Sequence, residues 1–172
     1  IKSPAKENIK DRVLSDEEIK TLWNQLDKCK SMDRRIALIL KLLLITGQRK
    51  IECLHLKHSE IDNSGWWTIP KEISKNSKPH RVFLSPKAYE VITLAKELLP
   101  ESDWLFPSPR TGKPFIGSSI DHALRDIKAQ EIIKLDFTPR DLRRTASTMM
   151  TSMGIPLLTV SKIQNYSEAR VI

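Results

Sequence analysis

The sequence predicts an α+β domain that is mainly α, a helical bundle carrying a small three-stranded antiparallel sheet. Three observations carry this. Apolar residues recur at helical spacing in segments bounded by capping signals. One segment, Asp33 to Thr46, is almost wholly apolar, as a helix running through a core must be. Only the window from Leu56 to Ser85 changes period, to short β-branched or aromatic runs separated by turn residues.

In chain order, Ile1 to Arg12 is polar, Lys-rich and without periodicity, and reads as a linker; residues 13–172 read as one domain. Ser15-Asp16-Glu17-Glu18 is a capping box, with Leu14 and Ile19 placed to staple it. The helix that follows turns Ile19, Leu22, Trp23 and Leu26 to one side. The central helix from Asp33 is capped by Gly47. Leu56 to Ile61, Trp66 to Ile69 and Arg81 to Leu84 are the three expected strands. Asp62-Asn63-Ser64-Gly65 and Lys75-Asn76-Ser77-Lys78-Pro79 are the turns between them. Ser85-Pro86 opens a helix to Leu99 that offers Tyr89, Val91, Ile92 and Leu98 to the core. A Pro-rich loop follows, anchored by Trp104, Leu105 and Phe106, and Ser118 or Ser119 caps a helix toward Ala129. The helix from Thr138 to Gly154 points Leu142, Ala146 and Met150 inward, with Met149, Met150 and Met153 as core filler. Ile155-Pro156 opens the last, through Leu158, Val160 and Ile163.

Composition narrows the function. Lys and Arg number 29 against 21 Asp and Glu in 172 residues, a net charge of +8. Such a balance suits a polyanionic partner. The longest apolar run, Ile36 to Ile45, is too short to span a membrane and is interrupted by Lys41. No signal-peptide pattern opens the sequence. Cys29 and Cys53, with His55, His58, His80 and His122, have no metal-ligand spacing, so no metal is expected, and two cysteines make no disulfide framework. A reduced, intracellular protein is the expectation.

Three segments carry the chemistry. In Phe137-Thr138-Pro139-Arg140-Asp141-Leu142-Arg143-Arg144-Thr145, Thr138 is the N-cap and Asp141 completes a capping-box variant. Arg140 and Arg143 then lie three apart, their Cβ atoms roughly 5–6 Å from each other. Two guanidinium groups at a positive helix end call for an anion, and phosphate matches their forked donors. A solvated basic helix end fits the same pattern. Arg49 follows Gly47 at an interior corner, and Glu52, three residues on, can hold its guanidinium; an ordinary surface pair is the plain alternative. Lys71, Lys75 and Lys78 make the second turn a cationic finger.

Taken in order, these segments resemble the catalytic domain of the tyrosine recombinases, the phage-integrase class. Thr46-Gly47-Gln48-Arg49-Lys50-Ile51-Glu52 is similar to that family's first box, which implies Arg49 as the first catalytic arginine and Glu52 as its support. Lys75-Asn76-Ser77-Lys78-Pro79-His80-Arg81-Val82 is similar to its hairpin, with Lys75 in the place of the catalytic lysine. Thr138 to Thr145 is similar to its second box, with Arg143 as the second catalytic arginine. Arg140 stands where the family usually has His, and Tyr166, after Asn165, where it has His or Trp. The family's nucleophilic tyrosine is expected about nine residues further on, beyond Ile172.

The resemblance implies site-specific DNA recombination through a 3′-phosphotyrosyl intermediate, with no cofactor and no metal. The partner would be double-stranded DNA, with a homotetramer as the active form and no membrane. Location would be cytoplasmic, at a prokaryotic nucleoid, and the linker would lead from a missing N-terminal core-binding domain. Catalytic contacts would come from Arg49, Lys75, Arg140, Arg143 and Tyr166, and DNA-backbone contacts from Lys78, His80, Arg81 and Arg144. Without the nucleophile the fragment itself would be inactive. The alternative is a catalytically inactive DNA-binding relative or regulator, which the missing nucleophile, Arg140 and Tyr166 would fit.

Overall fold

A computed structural model describes residues 12–166. Seven α-helices and one two-stranded sheet follow each other there. Helix α1 (Asp16–Lys28) begins at the expected capping box: Ser15 accepts from the Glu18 N–H while Glu18 accepts from the Ser15 N–H. Helix α2 (Arg34–Thr46) is N-capped by Asp33 and runs through the core, with Leu38, Ile39, Leu40, Leu42 and Leu43 wholly buried. Burying five such side chains contributes on the order of 10 kcal/mol before the entropy of ordering them is charged against it. Lys41 interrupts this apolar helix without breaking it. Its ammonium lies 2.6 Å from Asp27 and 4.3 Å from the centre of the Trp23 ring, so a buried charge is both paired and stacked.

Gly47 ends α2 in the left-handed region at φ 62°, its N–H bonded to the Leu43 carbonyl. A five-residue helix, α3 (Lys50–Leu54), starts three residues later. The sheet pairs β1 (Trp66–Ile69) with β2 (His80–Phe83), antiparallel, Trp67 opposite Val82 and both buried. The third expected strand is absent. Residues 57–61 instead close a 3₁₀ turn over His58–Glu60, because the Glu60 carboxylate accepts the Lys57 N–H and holds the backbone curled. The segment keeps only single bridges, Ile61 to Trp67 and Lys57 to Trp104.

Helix α4 (Pro86–Leu98), capped by Ser85, and α6 (Pro139–Ser152) both pack on α2, while α5 (Gly117–Ala129) lies against α3. Helix α7 (Leu157–Ile163) closes the described chain against α6. Three core assignments change. Leu98 is on the outer face of α4, Met153 falls at the exposed end of α6, and Leu158 is exposed while Val160 carries α7 inward. Each lies at the end of its helix or in the seven-residue α7, where the core does not reach the whole apolar stripe. No described helix is long and apolar enough to cross a membrane.

Candidate active site

The loops after α2 and α7, the β1–β2 connection and the start of α6 meet around a cleft of about 550 Å³. Its wall includes Arg49, Lys75, Arg140, Arg143 and Tyr166, the five residues the sequence marks as catalytic. Lys50 and Asp121 also line it, and they neutralise each other at 2.7 Å. The remaining charge on the wall is positive, as an anion site requires.

Arg143 is the most constrained of the five. It is 7% exposed, and its two terminal nitrogens donate to the Gly47 carbonyl, at 2.7 Å, and to the Gln164 carbonyl. Burial pushes its guanidinium below its usual value, and the charge of Arg49 adds to that, while a hydrogen bond with the Tyr166 phenol opposes it. An arginine stays protonated under such pressure, so the site keeps a permanent cation in a place dry enough to make it count.

Arg49 is held from below. Glu52, 1% exposed, accepts the Arg49 N–H with one oxygen at 3.0 Å and the guanidinium with the other at 3.1 Å. The opposite end of that guanidinium donates to the Asn165 carbonyl at 2.9 Å. Because Glu52 is buried, this is no ordinary surface pair; removing either partner strands a buried charge or a buried donor. The Tyr166 ring completes the wall, its centre 4.8 Å from the Arg143 guanidinium and 6.0 Å from that of Arg49.

Arg140 and Lys75 are exposed and, unlike the two braced arginines, their side chains have no ion pair or hydrogen bond among the described residues. Arg140 sits in the first turn of α6, where the Asp141 carboxylate accepts both the N–H and the hydroxyl of Thr138 at 2.8 Å and fixes the helix start. Its partner at i+3, Arg143, turns inward, so the pair reaches the cleft from its rim and from its floor. Lys75 projects from the long connection between the strands.

The four flanking residues do not line the cleft. Lys78 is exposed in the same connection. The Nε2 of His80 lies 2.9 Å from the Ile163 carbonyl, and so ties β2 to the end of α7. Arg81 lies over Trp66 at 4.7 Å and pairs with Asp62 at 3.1 Å. Arg144 pairs with Asp141 at 3.4 Å.

Polar residues that the sequence does not flag hold this arrangement. Three successive carbonyls, of Ile163, Gln164 and Asn165, receive His80 and Gln48, Arg143, and Arg49 in turn. Helix C-termini leave carbonyls unpaired, and here basic and amide side chains use them. Gln48 and Gln164 are wholly buried, and the Nε2 of Gln164 donates to the Arg143 carbonyl at 3.0 Å. Their only sequence signal is that each follows a helix end directly. Among the described residues no group of His, Cys, Asp and Glu is placed to hold a metal ion. Cys53 is buried and its thiol pushed up by that burial, which makes it an inert core residue.

Comparison with known proteins bears on the family and the fold. The tyrosine recombinase XerC of Staphylococcus saprophyticus is 25% identical over 163 residues, which cover 93% of this chain and 55% of that protein. XerC of Staphylococcus carnosus is 26% identical over 165 residues, with the same coverage. The chain therefore spans about half the length of these curated relatives. Among solved structures, XerA recombinase superposes with a TM-score of 0.75 at 24% identity, covering 91% of this chain and 55% of that one. The lambda integrase catalytic core superposes with a TM-score of 0.70 at 17% identity, covering 92% and 94%. These two establish the fold. The sequence pattern of the phage integrase family matches residues 12–172, and the chain belongs to that family.

Proposed function

We propose that this chain is the catalytic domain of a site-specific DNA recombinase that breaks and rejoins strands through a 3′-phosphotyrosyl intermediate. The observation that carries the reading is the cleft itself: two internally braced guanidinium groups, Arg49 and Arg143, with Lys75 lining the same cleft. A scissile phosphate fits between them. As a tyrosine oxygen attacks phosphorus, charge grows on the non-bridging oxygens, and fixed guanidinium donors stabilise it without reorganising. Fixed cations here take the part that metal ions take in other phosphoryl-transfer sites.

Lys75 is the general acid. Its ammonium gives a proton to the leaving 5′ oxygen as that oxygen's bond to phosphorus breaks. Glu52 orients Arg49, and Arg140 and Tyr166 add phosphate contacts. Lys78, exposed in the connection that carries Lys75, adds a backbone contact, whereas His80, Arg81 and Arg144 have partners within the protein. The attacking tyrosine lies beyond Ile172 in this reading. Of the tyrosines described, Tyr89 packs against the Asp62–Gly65 turn, and Tyr166 has its ring against both arginines.

The substrate is double-stranded DNA and the active form a homotetramer on it. A lambda integrase of the same fold is a tetramer on a Holliday junction, and XerH is bound to its difH substrate. An upstream core-binding domain, reached through residues 1–12, would complete the grip on DNA; most of that segment lies outside the described residues. The competing reading, a DNA-binding relative without catalysis, is less favoured, because such a protein would not need buried bracing behind each arginine.

The test uses two substrates that differ in one atom. The natural polypeptide cleaves ordinary DNA and DNA with sulfur at the bridging 5′ position. Lys75→Ala is expected to lose about 10²–10⁴-fold on the first and little on the second, since a thiolate leaves without a proton. Strand-cleavage rates measured on gels check it. Equal loss on both substrates would remove Lys75 from its role.

A further inference from the structure

Asn165 supports Arg49 through its carbonyl, and it also ties the loop after α7 to the β1–β2 connection. Its backbone sits at φ 52°, a left-handed conformation that asparagine adopts more readily than most residues. Its carbonyl accepts from Arg49 and from the Asn76 side chain, each at 2.9 Å. Its side chain reaches the same connection twice: Oδ1 accepts from Asn76 and Nδ2 donates to the Ser74 hydroxyl, both at 3.0 Å.

Ser74 and Asn76 are the immediate neighbours of Lys75. Apart from Asn165, the polar bonds of the 70–79 connection are local: Ile73 and Ser74 to Pro70, Ser77 to Ser74, Lys71 beside Glu72. Among the described residues, every long-range hydrogen bond of that connection ends on Asn165. Lys75 itself is exposed on a flexible stem, so nothing else sets the place from which its ammonium reaches.

We propose that Asn165 is a positioning residue, whose side-chain amide clasps both neighbours of Lys75 to the peptide that holds Arg49, so that acid and cation face one phosphate. The proposal rests on the reading of Lys75 as general acid. It does not involve Asn165 touching DNA. The logic is geometric: proton transfer requires the donor within hydrogen-bond reach, and a misplacement of about 1 Å costs on the order of 10²-fold.

The experiment separates the side chain from the backbone. Asn165→Gly suits the left-handed backbone and keeps the carbonyl that Arg49 uses, while deleting both side-chain bonds. Cleavage by the natural polypeptide and by this variant is measured on ordinary and 5′-sulfur DNA, with Lys75→Ala alongside. The expected result is a loss of about 10²-fold on ordinary DNA and a rate within about 3-fold of wild type on the sulfur substrate. Asn76→Ala removes the two bonds that Asn76 donates and leaves the one to Ser74, so it should show the same split between the substrates.

An Asn165→Gly protein that cleaves ordinary DNA at the wild-type rate, or loses equally on both substrates, overturns the positioning role. If that happens while Lys75→Ala is still rescued by sulfur, the general-acid reading survives alone. If Lys75→Ala is not rescued, both fall together.

Discussion

Arg143→Ala should lose strand cleavage by about 10³-fold or more, the scale on which a phosphoryl-transfer arginine acts. The sequence alone leads to the expectation that the fold would be left largely intact. Geometry changes this part of the prediction. Arg143 is buried and supplies hydrogen bonds to the Gly47 and Gln164 carbonyls. Deleting it leaves two buried acceptors unpaired, at about 1–3 kcal/mol each, and opens a cavity beneath Tyr166. The variant should therefore melt earlier as well as cleave more slowly. The two effects separate by measuring cleavage at a temperature where circular dichroism shows the variant fully folded. Wild-type cleavage by that folded protein would refute the catalytic assignment.

Gly47→Ala is the second large effect, and it acts through packing and backbone strain. A Cβ there would stand 2.7 Å from Nε2 of Gln164 and 3.2 Å from Cβ of Ala146. The left-handed φ adds about 1 kcal/mol for any residue with a Cβ. Gln164 is not a loose end that can swing aside: it is wholly buried, and its amide holds the Arg143 carbonyl. Relief of the clash must move α7 or the turn after α2, and both carry carbonyls that orient Arg143. We expect about 2–4 kcal/mol of lost stability, read as a shift of the urea midpoint at constant slope. Cleavage should fall in parallel even where the protein is folded. An unfolding free energy within about 0.5 kcal/mol of wild type would mean that the turn after α2 is far more yielding than its packing indicates.

These two residues also show what the sequence could and could not reveal. Gly47 was legible as a helix cap, and Arg49 and Glu52 as a braced pair, because spacing along one chain segment encodes them. The helix starts at Ser15, Ser85 and Thr138 were equally plain, since capping is local chemistry. The strand expected at 56–61 failed for a local reason that pattern hides: only Leu56 and Ile61 are apolar, and Glu60 curls the polar middle. Helix α3 is too short to show a period.

The bracing of the site was illegible for a different cause. Gln48, Asn76, Gln164 and Asn165 are ordinary polar residues whose roles come from partners well separated along the chain: 115 positions for Gln48 with Ile163, 89 for Asn76 with Asn165 and 21 for Gln164 with Arg143. No periodicity announces such a pairing. The exposures of Lys75 and Arg140 against the burial of Arg143 were likewise set by tertiary packing, although all three are basic residues in similar-looking segments.

The measurement that bears most directly on the whole account is covalent capture. The natural polypeptide is mixed with a nicked duplex whose cleavage releases a short strand, so that the reverse reaction is lost, and the products are denatured and digested. The account predicts a DNA-linked peptide joined through a tyrosine beyond Ile172, absent when Arg143 is replaced. Tight, salt-sensitive binding to the same duplex with no covalent adduct would contradict it and leave a DNA-binding protein without chemistry.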